Sequence, residues 1–563
     1  MNKQAILHVQ DSPFCFPVSE RAMTLRVRTA KDDVKSVTVV YESKYTIADS
    51  QKTAEMEKAY TNDLFDWYEI TLDLEDTRLA YVFLISDGID TYYYCEEGLS
   101  KEYDFSNGYY NFFQYPYINP VDVIKPIEWM KTAVFYQIFV ERFNRGIKDK
   151  DSSYINLKVG EEPTPKCFYG GDLPGITEKL EYLKELGITA VYLTPIFESP
   201  SNHKYDIVDY YEVDSHFGTK EDLKELVSRA HSLGIKIVLD AVFNHVSNKS
   251  KLFLDVVENG RKSQYYDYFI VHGDKPDDKV GNYEMFAHVK YMPKLNTSNP
   301  EVQKYLIDVA VHYLKEYDID GWRLDVSDEI SQDFWRHFRE AVKAAKPDAC
   351  IIGENWHEAY RNLRGDQYDS IMNYAFTKAA LDFFKEGALD ARGLAYRLNE
   401  LTLRNKDGVN RMMLNLLDSH DTGRFFTAVG CNVRVMKQAL ALLFFYCGTP
   451  CIYYGTETLT EGGYDPGCRR AMDFDVAGPD GKYGDIFKFI RGLADLKKTE
   501  LPQGGVFRYA GDGQLFVATC TEDGHVYKLI LNHSDKKANY EGTALAPESF
   551  AITKDGGVLL YED

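Results

Sequence analysis

Between residues 132 and 454 the chain repeats one pattern: a short apolar run, a polar stop, then an amphipathic stretch. The apolar runs fall at 132–140, 190–196, 235–240, 319–325, 350–354, 369–373, 411–417 and 450–454. Helical periodicity occupies intervals between them, as in Thr177 to Leu186, Lys220 to Leu233, Ser331 to Ala345 and Val433 to Tyr446. Strands alternating with helices build parallel βαβ units. Eight such strands are enough to close a (β/α)8 TIM barrel, in which reactive side chains sit on the loops after the strands.

Four of the runs end in such residues. In Gly321-Trp322-Arg323-Leu324-Asp325-Val326, Arg323 and Asp325 are two apart and share one face of a strand. Alone, an Arg-x-Asp would read as a surface ion pair. Ile235 to Asp240, however, leads into Ala241-Val242-Phe243-Asn244-His245, Cys350-Ile351-Ile352 into Gly353-Glu354-Asn355-Trp356, and Met412 to Leu417 into Asp418-Ser419-His420-Asp421. The guanidinium beside Asp325 is expected to lower its pKa and hold it as an anion, which makes it the candidate nucleophile. Glu354 ends a buried run, where partial desolvation favours the protonated acid. Asp240 is expected to stabilise its loop and not to react.

On either side of the barrel the periodicity changes to two. Residues 24–29, 37–41, 67–72 and 80–85 alternate as an antiparallel sandwich would, and 505–509, 515–519 and 526–530 do so again near the end. The expected domains are an N-terminal β-sandwich over 1–122, the barrel over 123–499 and a small C-terminal β domain over 500–563. The connection after the third strand is far longer than a simple loop, so 246–299 reads as an inserted lid subdomain over the catalytic face. The apolar stretch Ala439 to Tyr454 is broken by Gly448-Thr449-Pro450 and reads as a buried helix followed by a strand.

The 563 residues carry a net charge of -22, which argues against nucleic acid and anionic membrane partners. They include 42 Tyr, whose rings can stack on sugars and whose hydroxyls can bond them. Nine cysteines without a regular framework, and a start that lacks an apolar signal core, lead to the expectation of free thiols in a cytoplasmic protein.

Taken in order, the four strand ends resemble the motifs of the α-amylase superfamily of retaining glycoside hydrolases. Tyr136 to Phe143, Tyr169-Gly170-Gly171-Asp172-Leu173, Met292-Pro293-Lys294-Leu295-Asn296 and Gly463 to Arg470 are similar to the neopullulanase, cyclomaltodextrinase and maltogenic amylase subgroup. The resemblance implies that Asp325 is the nucleophile, Glu354 the acid and base, and Asp421 the acid that binds sugar hydroxyls most tightly in the transition state. It implies substrate contacts for Tyr205, His245, Arg323 and His420, and a cleft lined by Phe286, Trp356 and Tyr374. Tyr45 matches a position that reaches in from a partner subunit, so a homodimer formed through the N-terminal domain is expected.

The implied activity is hydrolysis of α-1,4 bonds in cyclomaltodextrins, maltooligosaccharides, pullulan and starch through a covalent glycosyl-aspartate, with transglycosylation as a side reaction. The alternatives are a glucan transferase or branching enzyme of the same fold, and an inactive amylase-like binding protein, against which the presence of all three acids speaks. No organic cofactor is implied. The subgroup's calcium loop follows the first strand, but Arg145 and Ile147 stand at its positions here and cannot ligate the ion. Asn144, Asp149, Asp151 and Asp172 are the donors left for a shifted site.

Overall fold

The computed structural model describes residues 1–385 and 387–562, the side chains of 107–109 excepted. One compact unit comprises 127–385 and 412–503; the other comprises 1–126, 387–411 and 504–562.

The first unit is the barrel. Its strands are β1 (Phe135–Ile138), β2 (Ala190–Leu193), β3 (Lys236–Ala241), β4 (Gly321–Leu324), β5 (Cys350–Gly353), β6 (Ser370–Ile371), β7 (Leu414–Leu416) and β8 (Thr449–Tyr453). They follow one another in parallel around the sheet in the order β6-β5-β4-β3-β2-β1-β8-β7. A parallel bridge between Met372 and Leu414 joins the two ends. All eight lie within or across the expected apolar runs. Every residue of β1, β2, β4 and β5 is buried, which is why these strands read as continuous apolar runs and not as alternating ones. Close approach sets the register of β4 on β5: a Cβ at Gly321 would lie 2.5 Å from Cys350 O.

Helices pack between the strands, each started by local chemistry. Lys220–Ser232 opens on a capping box in which Thr219 Oγ1 accepts from Asp222 N–H and the Asp222 carboxylate accepts from Thr219 N–H. The helix expected over Thr177 to Leu186 is two pieces, Leu173–Glu178 and Leu180–Leu186. Between β5 and β6 the chain makes only a 3-10 turn, Tyr360–Asn362. The stretch from Ala439 divides as expected between the helix Val433–Phe445 and β8. Among the described residues no helix is long and apolar enough to cross a membrane.

The long insertion after β3 contains the helix Lys251–Asn259 and returns to the barrel rim through bridges from Phe269 to Leu295 and from His245 to Lys294. A tighter turn, closed by Phe286 N–H on Met292 O at 3.0 Å and the bridge Met285 to Pro293, holds Phe286.

In the second unit, Ala22–Ala30 and Phe65–Asp73 lie at the centre of one antiparallel sheet, Ser36–Ser43 and Leu79–Ser86 at that of another. Met23, Leu25 and Val27 from the first meet Val37, Val39, Tyr81 and Phe83 from the second in one core, so this is a β-sandwich. Five antiparallel strands from Val506 to Glu562 form the C-terminal sheet. Helix Ala391–Leu403, inside the span read as barrel, packs on that sheet instead. Ala391 N–H donates to Gly513 O at 2.9 Å, and a Cβ at Gly511 would lie 2.1 Å from Ala391 O, so glycine there permits the contact.

Candidate active site

The residues at the C-terminal ends of β3, β4 and β5 converge on one guanidinium. Arg323 Nη1 donates to Asp325 Oδ1 at 2.9 Å and to both carboxylate oxygens of Asp240 at 3.1 Å. Its Nη2 pairs with Glu354 Oε2 at 3.0 Å. The register that sets Leu324 beside Gly353 places Asp325 and Glu354 next to each other on adjacent strands. Neighbouring strands are about 4.8 Å apart, compatible with the roughly 5–5.5 Å carboxyl separation of retaining glycosidases.

Asp240 does not serve its loop, as the sequence suggested. It is fully buried and accepts from Tyr192 OH at 2.6 Å and Tyr205 OH at 3.0 Å in addition to Arg323. It therefore fixes the guanidinium and a cleft tyrosine together. The expected depression of Asp325 is also corrected. Burial pushes its carboxyl well above the ordinary aspartate range; Arg323 pulls it down, while Glu354 and Asp240 push it up again. Asp240 is raised by burial, against Arg323, to about 6. Three carboxyl groups share one guanidinium, and the excess negative charge is what an arginine two residues away could not reveal. Asp240 and Asp325 each oppose the ionisation of the other, so the two titrate together.

Val326, directly after Asp325, has φ 45° and ψ 42°, a left-handed conformation that costs a β-branched residue about 1–3 kcal/mol. It turns the Val326 N–H onto Glu354 Oε2 at 2.9 Å, and Trp356 Nε1–H donates to Glu354 Oε1 at 3.1 Å. Both oxygens of the candidate acid are thus aimed by the protein.

Asp421 lies across the cleft. Arg469 Nη2 reaches its Oδ1 at 3.3 Å, and Arg469 Nε donates to His420 O at 2.8 Å. His420 is buried, and burial with Arg469 and Arg323 close by keeps it neutral. Gln137 Nε2 donates to its Nδ1 at 2.6 Å, which places the ring proton on Nε2, near Tyr205 OH and 3.2 Å from Asp421 Oδ2. Tyr205 is coplanar with His420, with ring centroids 5.5 Å apart. His245 lies under Phe286 with centroids 4.9 Å apart, and burial lowers its pKa to about 3. Asn244 Nδ2 donates to its Nδ1, while His245 Nε2 has no partner among the described residues. The imidazole is neutral, and its Nε2 is buried near the Tyr205 backbone.

These groups surround a cleft of about 400 Å³ lined by Tyr205, His245, Phe286, Asp325, Glu354, Trp356 and Asp421, together with His203, Asp465 and Arg469. A second cleft of about 490 Å³ shares Trp356 and Asp421 with it and is walled by Tyr374. Trp356 is 51% exposed and lies flat on Tyr374, centroids 3.7 Å apart and planes 3° apart. Arg323 and His420 are buried and line neither cleft. Tyr45 belongs to the other unit, where it is 59% exposed beside Lys44 and Arg78.

Gln137, Tyr192 and Arg469 hold the site with no role assigned to them from sequence, and Asp240 holds it in place of the loop role expected of it. Gln137 and Arg469 do fall inside the subgroup-like segments Tyr136 to Phe143 and Gly463 to Arg470, which was the available signal.

The donors proposed for a shifted calcium site do not assemble. Asp149 and Asp151 are exposed, Asp151 is folded onto Ser153, and Asn144 Nδ2 donates to Gly175 O. Among the described residues no group of three or more His, Cys, Asp or Glu side chains could hold a metal ion.

The family pattern for the α-amylase catalytic domain matches residues 137–465, and that for the α-amylase N-terminal Ig-like domain matches residues 1–119. The cyclomaltodextrinase of Thermoanaerobacter pseudethanolicus is 45% identical over 543 residues, covering 95% of this chain and 93% of that protein. Neopullulanase 2 of Thermoactinomyces vulgaris is 40% identical over 546 residues, covering 95% and 92%. A solved cyclomaltodextrinase structure superimposes with a TM-score of 0.91 at 36% identity, covering 100% of this chain and 99% of that one.

Proposed function

We infer that this chain, which belongs to the α-amylase family of glycoside hydrolases, cleaves α-1,4 bonds of cyclomaltodextrins, maltooligosaccharides and pullulan with retention. The observation that carries the reading is the pairing of Asp325 and Glu354 on adjacent nitrogens of Arg323, with Asp421 across the same cleft.

In the first step the Asp325 carboxylate bonds to the anomeric carbon as the glycosidic bond breaks, and Glu354 gives its proton to the departing oxygen. In the second, the Glu354 carboxylate takes a proton from water, whose oxygen bonds to the same carbon and displaces Asp325. A sugar hydroxyl in place of water gives transglycosylation. Asp421, held by Arg469, binds ring hydroxyls as the sugar flattens, a contact that counts most in the transition state. His245 bonds a hydroxyl of the same sugar, whose apolar face Tyr205 covers.

The names of the two relatives, a cyclomaltodextrinase and a neopullulanase, support cyclic dextrins and pullulan as substrates. Nine cysteines, seven of them buried and none in a disulfide among the described residues, support a reducing, cytoplasmic setting. A homodimer formed through the N-terminal domain is proposed from its resemblance, with the exposed Tyr45 at the partner's cleft.

The test is reducing-sugar release from β-cyclodextrin, soluble starch and pullulan by the native protein and by Asp325→Asn. Fast cyclodextrin cleavage lost in the variant supports the reading. Redistribution of chain lengths without new reducing ends would replace it by glucan transfer, and a monomeric mass at micromolar concentration would remove the dimer.

A further inference from the structure

The loop after β1 closes on a charge supplied by the chain itself. Lys150 Nζ donates to Gly170 O at 2.5 Å, to Asp172 Oδ2 at 2.7 Å and to His216 O at 3.1 Å. The side chain of Lys150 is 8% exposed and that of Asp172 is fully buried. Tyr154 stacks on His216 at 3.9 Å beside it. Two carbonyl oxygens and a carboxylate around a buried positive charge are the donor types a hard cation takes, and here they are given to an ammonium.

The rest of Asp172 is committed as well. Its Oδ1 accepts N–H bonds from Gly146 and Gly175, both at 2.8 Å, and its Oδ2 accepts a third from Ile147 at 3.2 Å. Calcium asks for six to eight oxygens; the loop offers N–H hydrogens on this side. Nor can position 146 be exchanged for an oxygen-bearing side chain, because a Cβ there would lie 2.3 Å from Gly175 N. Charge balance agrees: Asp172 is the carboxylate bonded to Lys150, and the neighbouring buried Asp214 is paired with Lys204 at 2.8 Å. Arg145 adds further positive charge nearby.

We propose that Lys150 is the resident cation of this loop, tying residues 144–150, 170–172 and 216 together by its three hydrogen bonds, so that the fold and activity of this chain need no calcium. The ammonium is attached to the segment it organises and cannot be removed by a chelator.

Thermal unfolding of the full chain in EDTA and in millimolar calcium chloride tests this. The native midpoint should be the same in both. Lys150→Met should unfold about 5 °C lower, because it leaves Asp172 buried without its partner, and calcium should not restore it. Lys150→Asp, which adds a second carboxylate to the cradle, should fall in EDTA and recover when calcium is added. A native midpoint that drops in EDTA and rises with calcium, or one equivalent of calcium retained by the native protein after chelation and gel filtration, overturns the proposal. So does a Lys150→Met midpoint equal to the native one. If Lys150→Asp does not fold, the native and Lys150→Met measurements decide.

Discussion

Arg323 holds Asp240 and Asp325 through the two hydrogens of one nitrogen, at 3.1 Å and 2.9 Å, so the two carboxylates share one guanidinium charge. Whatever changes the charge of Asp240 is felt at Asp325 without any movement of the backbone. Asp240 and Tyr205 are also bonded, which extends the same coupling to the sugar-facing wall.

Asp240→Asn therefore changes the pH profile as well as the rate. Asp240 and Asp325 are both raised, so ionisation of the cluster is opposed by its own negative charge. Removing the Asp240 charge lets Asp325 lose its proton at lower pH. The acidic limb of kcat/KM on cyclodextrin, along which Asp325 becomes an anion, should move to lower pH, and kcat should fall by about 10²-fold as Arg323 loses its second anchor. An unmoved limb would show that Asp240 only supports the structure.

Glu354→Gln should reduce kcat on cyclodextrin by about 10²–10⁴-fold. With maltosyl fluoride, whose leaving group needs no acid, the first step should still proceed while the second stalls. Mass spectrometry should then find the maltosyl group on the peptide carrying Asp325. Absence of any adduct while fluoride is released would rule out Asp325 as nucleophile.

Trp356→Ala removes the exposed face of the stacked pair with Tyr374 and should raise KM for maltooligosaccharides about 3–10-fold, the effect of one lost aromatic contact. Transfer to sugar acceptors should decline more than hydrolysis if the second cleft receives the acceptor. Equal losses in both would place the indole on the donor side.

Lys294→Met tests how the lid is held. Lys294 Nζ reaches Asn244 Oδ1 and also Glu329, whose Oε2 is 3.0 Å away, so one side chain joins the returning end of the insertion to the rim. The variant should be nicked faster by protease within 272–291 and should show a several-fold higher KM, with the barrel's unfolding midpoint little changed. Unaltered proteolysis would mean that the bridges at Phe269 and His245 hold the lid without it.

The barrel and its acids were legible because burial on both faces makes a strand continuously apolar, and a carboxylate ending such a run stands out. Asp325, Glu354, Asp421, Tyr205, His245, Phe286 and Trp356 could be found that way and from motif resemblance, and they share one cleft. The direction of the Asp325 shift was not legible, because it is set first by burial in the folded barrel and then by charges contributed by β3 and β5, far away in sequence. Lys150 stands in Lys148-Asp149-Lys150-Asp151, which looks like any solvated charged loop. Only the fold brings Gly170, Asp172 and His216 around it. Helix Ala391–Leu403 carries the same amphipathic period as the barrel helices, so periodicity could not say which sheet it covers.

The two-residue β6 has a consequence for motion. It shares a register of only two pairs with β5 and meets the β7 side through one bridge, while Ser370 Oγ stands in as acceptor for Leu414 N–H. The seam there is the thinnest part of the barrel wall, and amides at Asn373 and Leu414 should exchange with solvent before those of β1 or β4. Met372 lies in that seam and its sulfur is the partner of Arg323 Nε at 3.3 Å. Met372 thus links the seam directly to the guanidinium that holds Asp325 and Glu354.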